Sequence, residues 1–415
     1  MNHLTSLEEK ELNHLIPQFE RREMDLGLER INNALQILGK PCSNIPAIHI
    51  AGTNGKGSIA SFIQSGLKSA GIKTGITTSP HLIYWNERIS INGEYIPSKD
   101  FIEILKEITI KTKEINLTTF ELLITTALKY FEISGVELLV LETGLGGRLD
   151  ATTAHPCRPI IAIGGIGLDH CDQLGNNLTA ITKEKAAIIT PGSIVISANQ
   201  EAEVIKVLNQ KVEKEHAKLK LVTPLTEKWE LGLKGNIQHE NAAVAKAVLE
   251  ELPSLGFRIG IQNIKEGFAS ASWPGRLEKA YWQNLPVLLD GAHNVHAAKE
   301  LSKERMNWDK NQNCVNWILA IQKSKDAPLM LTELIKDNDL AWIVRVPNHK
   351  SWSAEILKEN CPEISNQIYK ANNVEEVLKR IKSKGNWPDP QPVIAGSLYL
   401  IGELLQKNIV SNYFN

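Results

Sequence analysis

Short stretches that are apolar at successive positions, rather than at every second or third, constrain this chain most. They cover residues 46–50, 136–141, 159–163, 193–197, 287–289, 316–321, 342–346 and 393–395. A strand with one solvated face alternates polar and apolar residues, whereas a strand covered on both faces does not. Each run ends in glycine or polar turn residues. Stretches of helical period lie between them. Over 58–70, Ile59, Phe62, Ile63 and Leu67 share one face and Gly71 is a stop signal. Residues 119–133 and 178–189 read as further helices. Strand–helix alternation of this kind predicts α/β architecture with mainly parallel sheets.

A chain of 415 residues holds two or three domains at roughly 100–200 residues each. The turn-like segment from Trp273 to Arg276, and Asn284-Leu285-Pro286 before a new strand, place a boundary near 275–286. The expected domains are residues 1–280, carrying the phosphate loop, and a smaller α/β domain over 286–415. The net charge of -1 offers no field for nucleic acid or an anionic membrane, so anionic ligands must be held by local charge. Five cysteines without a CxxC pair suggest neither a disulfide framework nor a zinc site. They fit a reducing compartment. The polar, acidic N-terminal stretch is unlike a secretory signal. No run approaches the ~18 apolar residues of a membrane span. The expectation is a cytoplasmic enzyme.

The first apolar run leads into Ala51-Gly52-Thr53-Asn54-Gly55-Lys56-Gly57-Ser58, and a helix follows. Glycines let backbone N–H groups turn inward around phosphate oxygens. The helix N-terminus adds partial positive charge. Lys56 would reach the outer phosphates, and the Ser58 hydroxyl would approach Mg²⁺. The spacing is shorter than G-x-x-x-x-G-K-[ST], with an extra glycine between lysine and serine. A Gly-rich strand–helix turn without a ligand is the alternative.

This loop variant resembles that of the Mur ligase superfamily. Gly52 to Ser58 is similar to its folylpolyglutamate synthase/dihydrofolate synthase branch. Matching segments follow in family order. Leu26-Gly27-Leu28-Glu29-Arg30 comes before the loop. Thr78-Ser79-Pro80-His81-Leu82 with Glu87-Arg88-Ile89, then Thr119-Phe120-Glu121, Glu142 to Ala151, and Gly167-Leu168-Asp169-His170 come after it. Glu184-Lys185-Ala186, Glu240-Asn241-Ala242, Pro274 to Glu278, Asp290 to Asn294 and Gly396-Ser397-Leu398-Tyr399 complete the set. The resemblance implies a P-loop nucleotide-binding domain with a mainly parallel sheet and a smaller Rossmann-like C-terminal domain. It also implies a monomer that binds ATP and ligates L-glutamate to dihydropteroate, to the glutamate tail of folate, or to both.

Glu142 ends an apolar run, where α/β proteins gather ligands. A carboxylate merely buried there is costly, so a metal role is expected. His170 follows an apolar run and a glycine. Spacing leaves it open between a structural imidazole and a ligand. The resemblance implies Ser79, Glu142 and His170 as Mg²⁺ ligands, with Ser58 at a first site. It further implies that Lys185 is N-carboxylated and faces a second Mg²⁺. On residue types alone, Thr182-Lys183-Glu184-Lys185 reads as a solvated helix face. For the nucleotide the resemblance implies Thr53, Asn54, Gly55, Lys56, Gly57, Ser58, Asn241, Arg276 and Asp290. Arg276 suits phosphate through its planar fork. Asp290 reads equally as the cap of a helix beginning near Ala292. His293 is expected near the phosphates, with a surface turn as the alternative. Lys56, Lys185 and His293 are the candidate catalytic residues.

The same resemblance places the pterin-containing substrate against Gly27, Leu28 and Glu29, against Thr118, Thr119, Phe120 and Glu121, and against Leu149, Asp150 and Ala151. Phe120 can stack on a flat heterocycle, although at a helix start it also reads as core. The sequence departs from the family pattern at Val295, Ile237, Ala187 and over 320–326. Two rivals stay open: a Mur-type ligase acting on a peptidoglycan precursor, and an ATP-binding switch without ligase activity. No basic patch with interleaved aromatics points to nucleic acid.

Overall fold

The computed structural model describes residues 6–17, 26–308 and 313–411. The chain divides into two compact units. One comprises Met1–Gly232 and Gln238–Ser272, the other Leu233–Ile237 and Trp273–Asn415. Apart from Leu233–Ile237, the second unit begins at Trp273, beside the boundary near 275–286 expected from sequence. Asn284, expected just before a new strand, is the tip of the hairpin that leads into that strand inside the second unit. Gln283 and Asn284 both have positive φ, 49° and 65°, as a two-residue type I′ turn requires.

The first unit is built on β1 (Ala47–Ala51), β2 (Thr74–Thr77), β3 (Ile89–Ile91), β4 (Glu94–Tyr95), β5 (Leu138–Glu142), β6 (Ile160–Ile163), β7 (Ile194–Ala198) and β8 (Lys218–Val222). They form one 8-stranded sheet in the order β4-β3-β2-β5-β1-β6-β7-β8. Strands β2, β5, β1, β6, β7 and β8 run parallel. β3 reverses between β2 and β4, pairing antiparallel with both. Every residue of β1, β5 and β6 is buried, which is why these stretches carry apolar residues on both faces. β8 closes an edge, and its Lys-Leu-Lys-Leu-Val pattern is mostly exposed. Lysines on such an edge discourage pairing with another chain.

Helix Lys56–Ser69 crosses helix Ile261–Ser270 at glycines. A Cβ on Gly267 would lie 2.5 Å from the Gly66 nitrogen, so only glycine admits the approach. Phe62 and Phe268 fill the space beside the crossing, with ring centroids 5.0 Å apart.

The second unit holds β9 (Glu278–Trp282), β10 (Leu285–Leu289), β11 (Asn316–Leu319), β12 (Leu340–Ile343), β13 (Ile368–Lys370) and β14 (Val393–Ala395). The order is β13-β12-β11-β14-β10-β9, parallel except for the β9–β10 hairpin. All eight apolar runs are strands. Both units are α/β layers with mostly parallel sheets.

Candidate active site

Strand β1 lies between β5 and β6 and delivers the glycine loop at its C-terminal end. Ligands gather at that edge of a parallel sheet. At Gly52 a Cβ would lie 3.0 Å from Gly164 Cα and 3.1 Å from the Asn54 oxygen. Gly55 has φ 84°, and a Cβ there would overlap Asn241 Oδ1. The structure thus brings Asn241, on helix Ile237–Glu251, against the loop. Asn241 is turned by donating to Gln238 Oε1 at 3.0 Å. The Thr53 and Asn54 N–H groups donate to Gly165 O at 2.8 and 3.0 Å, and the Thr53 hydroxyl donates to Gly167 O at 2.9 Å. Gln200 fixes that neighbouring turn, accepting from Ile166 N–H at 3.0 Å and donating to Gly164 O at 2.9 Å. Ser58 is buried in the first turn of helix Lys56–Ser69.

Two lysines converge on one loop oxygen. Lys56 Nζ donates to Gly52 O at 3.1 Å and to Thr53 O at 3.4 Å. Lys185 Nζ donates to the same Gly52 O at 2.9 Å. Lys185 belongs to the buried face of helix Leu178–Ala186, together with Ile181, Thr182 and Ala186. Its neighbour Lys183 is exposed. The solvated-face reading of Lys185 is therefore corrected: the helix turns it inward. Burial first, and then the Lys56 charge, push the Lys185 amine down to about 7, with Asp169 and Asp150 opposing the shift.

Glu142 ends β5 and is 3% exposed. Its Oε2 accepts from the Ser79 N–H at 3.3 Å, so two of the expected cation ligands meet. Beside them lies a cavity lined by Thr77, Thr78, Arg88, Phe120, Leu123 and Glu142. Phe120 is half-buried. Its ring covers Gly144, where a Cβ would approach it to 2.6 Å. It serves the core and the cavity wall together. The Ser79 loop is held from behind by Glu87, which accepts from the N–H groups of Leu82, Ile83 and Tyr84 at 2.6, 2.9 and 2.7 Å.

Several expected substrate residues have architectural partners. Thr118 caps helix Thr119–Ser134 by accepting from Glu121 N–H at 3.3 Å, and Glu121 Oε2 accepts from Thr118 N–H at 2.7 Å. The same Oε2 accepts from Arg30 Nε at 3.1 Å. This ties the segment containing Gly27, Leu28 and Glu29 to the start of that helix. Leu28 packs on the core and Glu29 is exposed. The Thr119 hydroxyl donates to Pro17 O at 2.6 Å. Asp150 is 3% exposed and accepts from Gly144 N–H at 2.8 Å, Leu145 N–H at 2.9 Å and Thr152 N–H at 3.0 Å. Burial raises its pKa, and these bonds oppose the rise. Ala151 is core, and Leu149 is half-buried.

His170 has φ 51° and stands before the short helix Cys171–Leu174, with its side chain 40% exposed and Nε2 3.9 Å from Asp169. Among the described residues no group of three or more His, Cys, Asp and Glu side chains is placed to hold a metal ion. The available donors are instead a mixed set of hydroxyl and carboxylate oxygens, with hard-donor chemistry suited to Mg²⁺ that also binds substrate phosphates.

In the second unit Asp290 follows β10. It accepts from Leu277 N–H at 3.0 Å and Ala292 N–H at 2.8 Å. Burial raises its pKa, and the Arg276 charge opposes this. It does not cap the next helix. That helix is Val295–Trp308, and Asn294 Oδ1 accepts from Ala297 N–H at 2.8 Å. The Arg276 guanidinium lies on Gly291, where any Cβ would overlap it. His293 is half-buried, with Nδ1 2.8 Å from Gly291 O. Ser397 caps helix Leu398–Gln406.

Sequence reading missed His49, Thr152 and Arg158, which form a buried polar chain beneath the site, and Gln200 behind the phosphate loop. The usable signal was His49 itself, a polar residue inside an apolar run.

Two family descriptions match the chain. The Mur ligase middle domain matches residues 50–249, and the dihydrofolate synthetase C-terminal domain matches residues 276–407. The chain is 35% identical over 415 residues to the probable dihydrofolate synthetase of Schizosaccharomyces pombe, covering 92% of this chain and 98% of that one. It is 30% identical over 415 residues to the dihydrofolate synthase/folylpolyglutamate synthase of Bacillus subtilis, covering 92% and 94%. The solved folylpolyglutamate synthase of Mycobacterium tuberculosis, complexed with ADP and AMPPCP, aligns with a TM-score of 0.87 at 27% identity, covering 97% of this chain and 98% of that one.

Proposed function

Because the chain belongs to the family of dihydrofolate synthases and folylpolyglutamate synthases, we propose that it is an ATP-dependent ligase joining L-glutamate to a pteroate or folate carboxylate. Dihydropteroate is the first acceptor, supported by the match of residues 276–407 to the dihydrofolate synthetase C-terminal domain. Extension of the folate tail by the same chemistry is supported by the similarity to the Bacillus subtilis enzyme. The observation that carries the ligase reading is the glycine loop at the end of β1 with Lys56 and Lys185 both on Gly52 O.

The acceptor carboxylate attacks the γ-phosphorus of ATP, ADP leaves, and an acyl phosphate forms. The glutamate amine then attacks the acyl carbon, and phosphate leaves. On binding, Lys56 exchanges its loop carbonyls for phosphate oxygens. The loop amides and the helix N-terminus oppose the charge that builds on the transferring group. Asn241, Arg276 and Asp290 contact the nucleotide, and His293 lies near the phosphates. Phe120 offers its exposed face to the flat pterin, while Thr118, Glu121 and Asp150 shape that wall through the bonds described above. Ser79, Glu142 and His170 would together hold Mg²⁺, Ser58 would serve a first site beside the phosphate loop, and the carboxylated Lys185 would face a second. Magnesium, when bound, supplies neutralisation of phosphate charge.

Lys185 enters as its carbamate. A free amine near neutral pH is a nucleophile toward carbon dioxide: the N–C bond forms and the amine proton leaves to solvent. The product is an anion facing Lys56 where two cations had met. Incubation with ¹³C-bicarbonate gives a carbamate carbon resonance in the unsubstituted protein and none in Lys185→Arg. A resonance that persists in that variant removes this step.

The protein acts as a cytoplasmic monomer on small molecules, without nucleic acid or membrane partners. Among the described residues no helix is long and apolar enough to cross a membrane. The test is ATP- and Mg²⁺-dependent incorporation of labelled glutamate, with dihydropteroate and tetrahydrofolate offered separately. Label on both supports both steps, and label on one selects it. No label on either, with ATP still bound, rejects the folate reading in favour of a peptidoglycan-precursor ligase or a non-catalytic switch.

A further inference from the structure

Beneath the acceptor wall, behind Asp150, runs a chain of polar groups that the ligation chemistry does not use. His49 sits in the middle of β1, between apolar neighbours, and is fully buried. One ring nitrogen, Nδ1, is 3.3 Å from Arg158 NH1. The other, Nε2, is 2.8 Å from the Thr152 hydroxyl. That hydroxyl is 2.5 Å from Asp150 Oδ1. Asp150 Oδ2 in turn accepts from Gly144 and Leu145 N–H.

The donor chemistry fixes the direction of every bond. A guanidinium only donates, so His49 Nδ1 accepts. Full burial, with the Arg158 charge beside it, holds the ring neutral. The single ring proton is therefore on Nε2 and is given to the Thr152 oxygen. The Thr152 hydroxyl hydrogen is then free for the carboxylate. Asp150 receives a donor on each contact, as an ionised carboxylate requires. The series runs from a cation to an anion with its dipoles aligned, an arrangement in which each bond strengthens the next.

What the anion holds is the turn directly after Glu142. Gly144 is the residue on which the Phe120 ring rests, and Phe120 and Glu142 share the cavity wall. We propose that His49, Thr152 and Arg158 are positioning residues for the acceptor: through Asp150 they hold Gly144 and Leu145 at the height that sets the Phe120 face. The proposal rests on the acceptor reading given above. It separates the acceptor end of the site from the nucleotide end, because Asp150 bonds the turn after Glu142 and not the glycine loop.

The decisive pair is Thr152→Val and Thr152→Ser in the full chain. Valine keeps the shape and removes the hydroxyl, and serine returns it. Thr152→Val should raise KM for dihydropteroate about tenfold, the scale of one hydrogen bond to a charged group, while KM for ATP stays put. Amide exchange of the Gly144–Leu145 turn should accelerate in the same variant. Thr152→Ser should restore both. Equal acceptor KM and equal exchange in Thr152→Val would overturn the proposal, as would a parallel rise in both KM values. If Thr152→Val does not fold, Arg158→Met at the half-buried end is measured in its place: a rise in acceptor KM with faster exchange supports the proposal, and no change in either overturns it. Should the unsubstituted chain fail to turn over any acceptor, the functional reading falls, and the exchange measurement alone decides the chain of bonds.

Discussion

Each unit buries a charge against its sheet, and the two are treated in opposite ways. In the second unit Asp339 is fully buried. It accepts from Arg305 NH1 and NH2 at 2.6 and 3.1 Å, from Val315 and Lys336 N–H at 2.9 Å each, and from Trp317 Nε1 at 3.1 Å. In the first unit Lys185 is 5% exposed and donates to a carbonyl that a second ammonium already occupies. It forms no ion pair among the described residues. A buried charge whose lone pairs are all met is an architectural joint. One left against its own kind costs stability, and is kept where its reactivity is used.

The largest expected effect is on the architectural side. Asp339→Ala should cost about 3–5 kcal/mol in a urea titration, because it strands the Arg305 charge. The activity of the folded fraction should be unchanged. A loss confined to activity would break the comparison. Lys185→Met should do the reverse, lowering kcat by about 10²–10³-fold, as for loss of one oriented charge-stabilising group. Its melting temperature should hold or rise. A melting temperature that falls as far as that of Asp339→Ala would place Lys185 with the joints.

The third effect is a pH signature. In buffer free of carbon dioxide, where Lys185 is the uncarboxylated amine, burial holds it at about 7 against an ordinary value of 10.5. Between these values the unfolded chain holds the extra proton, so stability rises with pH across that window. The stability deficit of the unsubstituted protein relative to Lys185→Met should therefore shrink by about 1 kcal/mol per pH unit from pH 7 upward. A deficit that grows instead would mean that the cation is stabilised where it lies. The smallest effect tests a second joint. Glu121→Gln should lose roughly 1 kcal/mol by weakening the cap and the Arg30 pair, with acceptor KM unchanged. A large rise in that KM would show direct substrate contact by Glu121.

The same contrast explains what could be read from the chain beforehand. Most strands covered on both faces were legible because their apolar runs need no partner to be recognised; β2, although wholly buried, was not, since Thr-Gly-Ile-Thr is no apolar run. β8 and β13 were not, since edge strands carry polar residues, and the β9–β10 hairpin lacks the glycine that usually marks its turn. The glycine loop was legible because backbone conformation and residue type are bound together within a few positions. The inward turn of Lys185 depends on which helix face meets the sheet, and Lys183 offered the same residue type two positions earlier. Asp290 and Asn294 both suit a helix start, and only the helix boundary separates them.

The contact between Gly55 and Asn241 Oδ1 has a consequence for synthesis. The loop leaves the ribosome first, and the asparagine that lies against it follows about 190 residues later, a delay on the order of 10–40 seconds at usual elongation rates. During that interval the nascent chain carries a glycine loop without Asn241 against it, and the helix Ile237–Glu251 that carries Asn241 is made only after β8, the strand of the exposed edge. Ribosome-bound chains stopped before residue 237 would thus display the loop without Asn241 beside it.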